Sequence, residues 1–266
     1  MKAPVFDDTW TEELVALYQH DMQEIWDRSI APQIWNQYHN QLDLCLSLAS
    51  QNGVLDILDV GCAQGTLALK LAEAGHRVLA VDLRQGFLDY AKSRHEYGKI
   101  EFLQGNVLEL ELDRSFDLIF ANQIVEHLVY PDRLLSRLKA CLKPGGMLVM
   151  TTPNGNYIKN TLPSFRKLGD PKNWEHMQFT ADGDGHFYAY LKEELMELFE
   201  MAGFIEVQVR FFESPMISGH MKVRHVHGFV PTPLLRMLDK IIISAPWLKR
   251  KLTHQLMVTG ICPKCT

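Results

Sequence analysis

Apolar and polar positions alternate in blocks along the chain, and the blocks differ in period. Around residue 58 the chain is apolar almost without a break, Ile57-Leu58-Asp59-Val60, and it stops at Gly61. From Thr66 to Ala74 the apolar positions recur at helical spacing, and Gly75 ends that run. Val78 to Val81 is again continuously apolar and closes on Asp82. Short unbroken apolar runs fit strands covered on both faces, and the run between them fits a crossover helix. Strand, glycine turn, helix, strand and acid together are the signature of a nucleoside-binding βαβ unit.

The same reading extends in both directions. Thr9, with Glu12 three residues on, forms a candidate capping box for a helix carrying Leu14, Leu17, Met22, Ile25 and Trp26. Pro32 breaks that helix, and a second one carries Ile34, Trp35, Tyr38, Leu42 and Leu46. Gln51-Asn52-Gly53 reads as a turn into the first strand. After Asp82 the pattern predicts a helix from about Gly86 to His95 and strands at Ile100–Leu103 and Phe116–Ala121. A leucine-rich helix then runs from Pro131 to Leu142, and Lys143-Pro144-Gly145-Gly146 turns the chain into a strand over Met147–Thr152. Residues 157–185 lack periodicity and read as a functional loop at the strand ends. A helix over Lys192–Met201, a strand over Phe204–Phe211, an amphipathic helical insertion and a last strand over Gln255–Ile261 follow. The expected division is a helical cap at 1–52, a core at 53–212, a basic insertion at 213–253, and a strand and tail at 254–266.

The turn after the first strand narrows the chemistry. A dinucleotide-binding G-x-G-x-x-G would place glycines at 61, 63 and 66, where the chain has Gly61, Ala63 and Thr66. It reads instead Asp59-x-Gly61-x-Ala63-x-Gly65. This resembles the first motif of class I S-adenosylmethionine (SAM) methyltransferases, with Ala63 in place of the middle glycine. Farther on, Glu126-His127-Leu128 after the fourth strand and Lys143-Pro144-Gly145-Gly146 before the fifth resemble the ubiquinone-biosynthesis O-methyltransferase type, over about residues 50–212. The resemblance implies an α/β, Rossmann-like seven-stranded sheet of order 3-2-1-4-5-7-6, with the seventh strand antiparallel. It implies SAM contacts from Asp59, Gly61, Cys62, Ala63 and Gly65. Asp82 would hold the ribose hydroxyls, with Leu83 against the adenine. Asn106, where the family usually has aspartate, would accept from the adenine amino group beside Val107, or else serve as a plain turn residue. Asn122 would accept from the amino group of the methionine part, and Arg28 would pair with its carboxylate.

Methyl transfer to a hydroxyl gains from a base or a metal that takes or weakens the O–H bond. Glu126, His127 and His186 are the candidates. Some relatives bind Mg²⁺ or another divalent cation through E-x-x-E-H, and the small-RNA 2′-O-methyltransferases add a second His about sixty residues on. The matching positions are Gln123, Glu126, His127 and His186, with Gln123 replacing a carboxylate by a weaker amide oxygen. Two readings stand: a base without metal, or a weak divalent site.

Composition trims the alternatives. Net charge is −5, which speaks against nucleic acid as the partner and toward a small molecule: a phenol, a sugar or a natural product, on which the basic insertion suggests a phosphate or carboxylate. RNA-terminal 2′-O-methylation, N-methylation of a small molecule and an inactive SAM-binding protein are the other readings. Five scattered cysteines, without a leader-like N-terminus, suggest a reducing cytoplasm. Cys262-x-x-Cys265 lacks a second pair to make a zinc site. Residues 216–252 carry seven Lys/Arg against one acid, so this insertion either meets phosphate or anionic lipid, or is a cap helix with a solvated basic face. The aromatic set Trp10, Tyr18, Trp26, Trp35 and Tyr38 reads as packing ahead of a pocket roof. Oligomeric state leaves no mark in the pattern.

Overall fold

The computed structural model describes residues 1–50, 53–177, 186 and 188–264. The expected turn residues Gln51 and Asn52, the loop stretch 178–185, Phe187 and Cys265 lie outside the described residues.

Seven strands form one sheet: β1 (Asp56–Val60), β2 (Arg77–Asp82), β3 (Lys99–Gln104), β4 (Phe116–Asn122), β5 (Leu142–Pro153), β6 (Ile205–Phe212) and β7 (Gln255–Ile261). Their order is β3-β2-β1-β4-β5-β7-β6, as the resemblance implies, with β7 antiparallel to both neighbours. The unbroken apolar runs follow from covering both faces. Leu58, Val60, Leu79, Val81, Ile119 and Ala121 join one core, while their neighbours Ile57, Val78, Ala80, Leu118 and Phe120 join the other. The first core is closed by α5 (Pro131–Ala140) and α6 (Lys192–Met201) through Leu134, Leu138, Leu195 and Phe199. The second is closed by α2 (Pro32–Ala49), α3 (Thr66–Glu73) and α4 (Gln85–Arg94) through Cys45, Ala68, Leu71 and Leu88.

Two local expectations change. The first helix, α1 (Glu12–Asp21), is capped by Thr11, whose hydroxyl accepts from the Leu14 N–H. Thr9 instead gives both its N–H and its hydroxyl to the Asp7 carboxylate, a turn that competes with the helix start. Lys143–Gly146 lies within β5: its pairing with β4 jumps from Leu142 opposite Phe116 to Met147 opposite Leu118, so the extra residues bulge out of the ladder. The aromatic set packs internally. Trp10 lies 5.8 Å from Tyr18 and 6.1 Å from Tyr90, and Trp35 stacks on His39 at 3.8 Å. After α1 the chain makes one π-helical turn, Met22–Trp26, and a buried ion pair holds it to the core: Arg94 and Asp21, both fully buried, at 3.1 Å.

The insertion between β6 and β7 holds α7 (Pro215–Ser218), α8 (Thr232–Ser244) and α9 (Pro246–Leu252). Among the described residues, no helix is long and apolar enough to cross a membrane.

Candidate active site

The strand order reverses between β1 and β4, and open α/β sheets bind ligands at that crevice. A cleft of about 260 Å³ opens there, lined by the ends of β1, β2 and β4 and the turn after β3. Gly61, Ala63, Asp82, Leu83, Asn106, Val107, Asn122, Gln123 and His127 all line it. Asp59, Cys62 and Gly65 do not, although they share the motif.

The turn explains this split. Gly61 has φ 62°, and a Cβ on it would lie 2.8 Å from the Ile124 side chain, so glycine lets β1 turn against the cleft wall. Ala63 takes a left-handed φ of 47°, a conformation that strains a residue with a Cβ. Its N–H, so turned, donates to Asp82 Oδ2 at 2.9 Å. Asp82 Oδ1 accepts from the Arg84 N–H at 3.0 Å. Two backbone donors thus hold the acid at the cleft edge. Gly65 caps α3 with φ 75°, and a Cβ there would meet Ala91 Cβ at 2.6 Å, so α4 packing demands this glycine. Asp59 is buried behind the turn, where burial and then the charge of Asp82 push its carboxyl up to about 7.

Two polar candidates are partly committed. Asn106 Oδ1 accepts from the Leu108 N–H at 3.0 Å and its amide donates to Glu109, which is the turn-residue role. Asn122 Oδ1 accepts from the Thr151 hydroxyl at 2.9 Å. A carbonyl oxygen has two acceptor sites, so each keeps one. Arg28 points elsewhere, donating to the His227 carbonyl at 3.2 Å. Arg84, which no motif marks, lines the cleft with its guanidinium over the Phe87 ring.

On the rim, Glu126, His127 and His186 come together: their ligand atoms all lie within 4.8 Å of one another, and the two imidazoles sit 4.5 Å apart. Tyr188 sets this meeting. Its hydroxyl lies 2.8 Å from the Val125 carbonyl, which pins the chain just past His186 onto the 3-10 turn Val125–His127. Glu126 is fully buried, and burial pushes its carboxyl up to about 8. Gln123 takes a left-handed φ of 53° and lies between Thr151 and Gln255 on one side and Glu126 on the other. Turned one way its NH₂ donates to Thr151 and Gln255; turned the other it donates to Glu126 Oε1 at 3.2 Å.

A second polar cluster runs from Gln123 away from the cleft, along the ends of β5, β7 and β6. Gln123 meets Gln255, Gln255 lies 3.4 Å from His254 Nδ1, and His254 Nδ1 lies 3.9 Å from Glu213. Glu213 is buried, has φ 62°, and accepts from the Gln37 amide at 3.0 Å. Tyr157 Oη lies 2.9 Å from His220 Nδ1, and the His220 ring lies 4.5 Å from that of His254. Burial, and then the charge of His254, push His220 down to about 4, so its ring is neutral near pH 7. No motif in the sequence marks this cluster. Its members come from α2, β7 and five connecting segments.

Residues 58–150 match the family model of a methyltransferase domain. A ubiquinone biosynthesis O-methyltransferase of Rickettsia akari is 36% identical over 160 residues, 57% of this chain and 62% of that protein. Over this matched part the chain is similar to class I SAM-dependent methyltransferases. A Mycobacterium tuberculosis protein named as a probable SAM-dependent methyltransferase is 29% identical over 203 residues, 75% of this chain and 65% of that protein. The chain therefore spans about six-tenths of the length of these curated relatives. Among solved structures, phosphoethanolamine N-methyltransferase 2 of Haemonchus contortus, in complex with SAM, superposes with TM-score 0.63 at 18% identity, covering 94% of this chain and 57% of that one. The [4+2]-cyclase SpnF superposes with TM-score 0.52 at 19% identity, covering 86% and 82%. These likenesses establish the fold. A cyclase on the same fold means the chemistry has to be read from the site.

Proposed function

We propose that the protein transfers the methyl group of SAM to a hydroxyl of a small metabolite. The observation that carries this reading is the set Glu126, His127 and His186 within 4.8 Å at the rim of the cleft that Asp82 edges. In this reading SAM lies with its ribose on Asp82, its adenine between Leu83 and Val107 beside Asn106, and its methionine part along Gly61, Ala63 and Asn122. The sulfonium is a good leaving group, so the protein's main tasks are to hold the acceptor in line with the methyl carbon and to exclude water. His127, at the cleft edge, takes the hydroxyl proton as the oxygen attacks. Glu126 and His186 flank it. The acceptor lies against the second cluster, whose amides and neutral His220 suit a hydroxylated, uncharged group. Residues 1–52 then act as the cap, 157–185 as the acceptor loop on the 53–212 core, and 254–266 as the closing strand and tail.

Two imidazoles and a carboxylate at this separation also suit a divalent cation. Glu126, His127 and His186 would hold it, and Gln123 would stand beside Glu126. The ion would supply Lewis-acid weakening of the acceptor O–H bond.

Both forms share one test. His127→Ala and His186→Ala should each lower turnover by roughly 100-fold or more while SAM affinity by calorimetry stays within a few-fold. Full turnover in both variants would refute the rim as the reacting centre. Undiminished activity in EDTA, with no response to added Mg²⁺, would assign the proton to His127 alone.

A further inference from the structure

The insertion between β6 and β7 presents a surface that the methyl-transfer reading does not use. Residues 216–252 hold seven Lys/Arg and a single acid, Asp239, which leaves 20 basic against 31 acidic residues elsewhere in the chain. The structure removes that one acid from the surface. Asp239 is buried on the inner face of α8, where its Oδ1 accepts from the Ser214 N–H at 2.8 Å. Every exposed charge of the insertion is therefore positive: Lys222, Arg224, Lys240, Arg250 and Lys251 all stand exposed. The rest of the chain carries a net excess of acid, and two cations of the insertion meet it: Arg236 lies 2.7 Å from Asp43, and Arg250 lies 3.2 Å from Glu193.

The same insertion exposes large apolar side chains. α8 is seated through Leu235 and Asp239, and its outer face carries Leu234, Met237 and Ile241, spaced three and four residues apart on one stripe. Ile241 is 58% exposed. Phe229, just before α8, is 89% exposed, and Trp247 in α9 is 74% exposed. Packing does not require these side chains to be apolar, because the inner face already anchors the helix. A segment with exposed large apolar and aromatic side chains, interleaved with cations and free of exposed acid, matches the interface of an anionic bilayer in both its terms: burial of the stripe and attraction of the cations. A helix of 13 residues lies in such an interface and does not cross it.

We propose that the α8–α9 face docks on an anionic phospholipid membrane, with Phe229, Leu234, Met237, Ile241 and Trp247 entering the headgroup boundary and Lys240 and Lys251 meeting lipid phosphates. The docked face adjoins the end of β5. The Lys251 carbonyl accepts from the Ile158 N–H at 2.9 Å, and the Asn154 amide donates to the Arg250 and Thr253 carbonyls. Docking thus sets the β5 end of the sheet near the bilayer whatever the acceptor is, and the proposal stands apart from the methyl-transfer reading.

The test is co-sedimentation of the full chain with vesicles of phosphatidylcholine alone and of phosphatidylcholine with phosphatidylglycerol, together with tryptophan emission. The expected result is partition onto the anionic vesicles only, reduced by salt, with a blue shift of emission that Trp247→Phe abolishes. Lys240→Gln with Lys251→Gln should lower the partition coefficient by roughly 30-fold, since each cation near such a surface contributes about fivefold. Both positions are exposed, and circular dichroism checks that the fold is kept. No partition, or equal partition onto neutral and anionic vesicles, would overturn the proposal. So would an emission shift caused by inorganic phosphate without vesicles, which assigns the cations to a small anion. A dimer in sedimentation velocity that Ile241→Glu dissolves would give the stripe to a second copy of the chain and overturn it as well.

Discussion

Replacing Glu126 by glutamine separates the two forms of the rim chemistry through stability, without any need to know the acceptor. Glu126 is fully buried, and its Oε2 has no hydrogen-bond partner among the described residues. Burial therefore penalises the charged form and lifts the carboxyl from its ordinary 4.5 to about 8. Between those values the folded chain holds a proton that the unfolded chain has lost. The contribution of this group to stability is complete below pH 4.5 and disappears as pH rises through about 8. Glutamine keeps the shape and carries no proton to lose. The stability difference should thus shift in favour of Glu126→Gln across that window and then level off. The pKa separation sets a ceiling of about 5 kcal/mol on the shift, and water entry around a buried carboxylate brings the expected value to about 2–3 kcal/mol. For a chain of this size that is roughly 5–10 °C in melting temperature between pH 5 and pH 8.5. Asp59 and Glu24, each pushed up to about 7 mainly by burial, tilt both proteins' curves alike, so the difference between them isolates Glu126. The assay is thermal denaturation by circular dichroism from pH 5 to 9 in chelated buffer. Parallel curves with a constant offset would refute the reasoning, because they would mean that Glu126 is ionised in the folded protein throughout. Repeating the melts with Mg²⁺ or Mn²⁺ tests the metal: a ligating Glu126 raises the melting temperature of the unsubstituted protein alone.

Three other substitutions probe the frame of the site. Asp82→Ala removes the acceptor for the Ala63 and Arg84 amides as well as the proposed ribose partner, and SAM affinity should fall by roughly 10- to 100-fold in calorimetry; unchanged affinity would sink the assignment. Gly65→Ala combines a left-handed backbone with a Cβ 2.6 Å from Ala91, and urea unfolding should show a loss of about 2–4 kcal/mol, whereas a neutral result would mean that α4 can withdraw freely. Arg94→Met leaves Asp21 buried without its cation and should cost about 3–5 kcal/mol, much of it regained in Arg94→Met with Asp21→Asn; a single-variant loss below about 1 kcal/mol would show the pair to be dispensable.

The sheet and the cofactor edge were legible in the chain because they depend on near neighbours. A strand covered on both faces is apolar at every position, as in Val78–Val81, and its sequence says so directly. The turn at Gly61, with an acid 21 residues on, encodes its geometry in glycines and spacing, so Asp82 could be placed at the tip of β2 before any fold was known. Three motif residues stand off the cleft lining, Asp59, Cys62 and Gly65, and Gly65 answers to Ala91, a neighbour 26 residues away in sequence. Asn106 and Asn122 show the same limit. Their positions were readable, while the Leu108 and Thr151 groups that occupy part of their acceptor capacity were not.

What tertiary structure alone decided is which distant polar groups meet, and which charges remain outside. His127 and His186 are 59 residues apart, and it is the Tyr188 hydroxyl on the Val125 carbonyl that makes them neighbours. Glu213, His220, His254 and Gln37 gather only because β6, β7 and α2 end at one side of the sheet. The lone acid of the insertion is drawn inward by the Ser214 N–H, so the insertion's own exposed charges are all positive. Apolar periodicity records which side of an element is buried. It carries no record of which polar group on another element will stand opposite, because that pairing is fixed by strand order, by crossover lengths and by left-handed residues such as Gln123 and Glu213, which have no local signature.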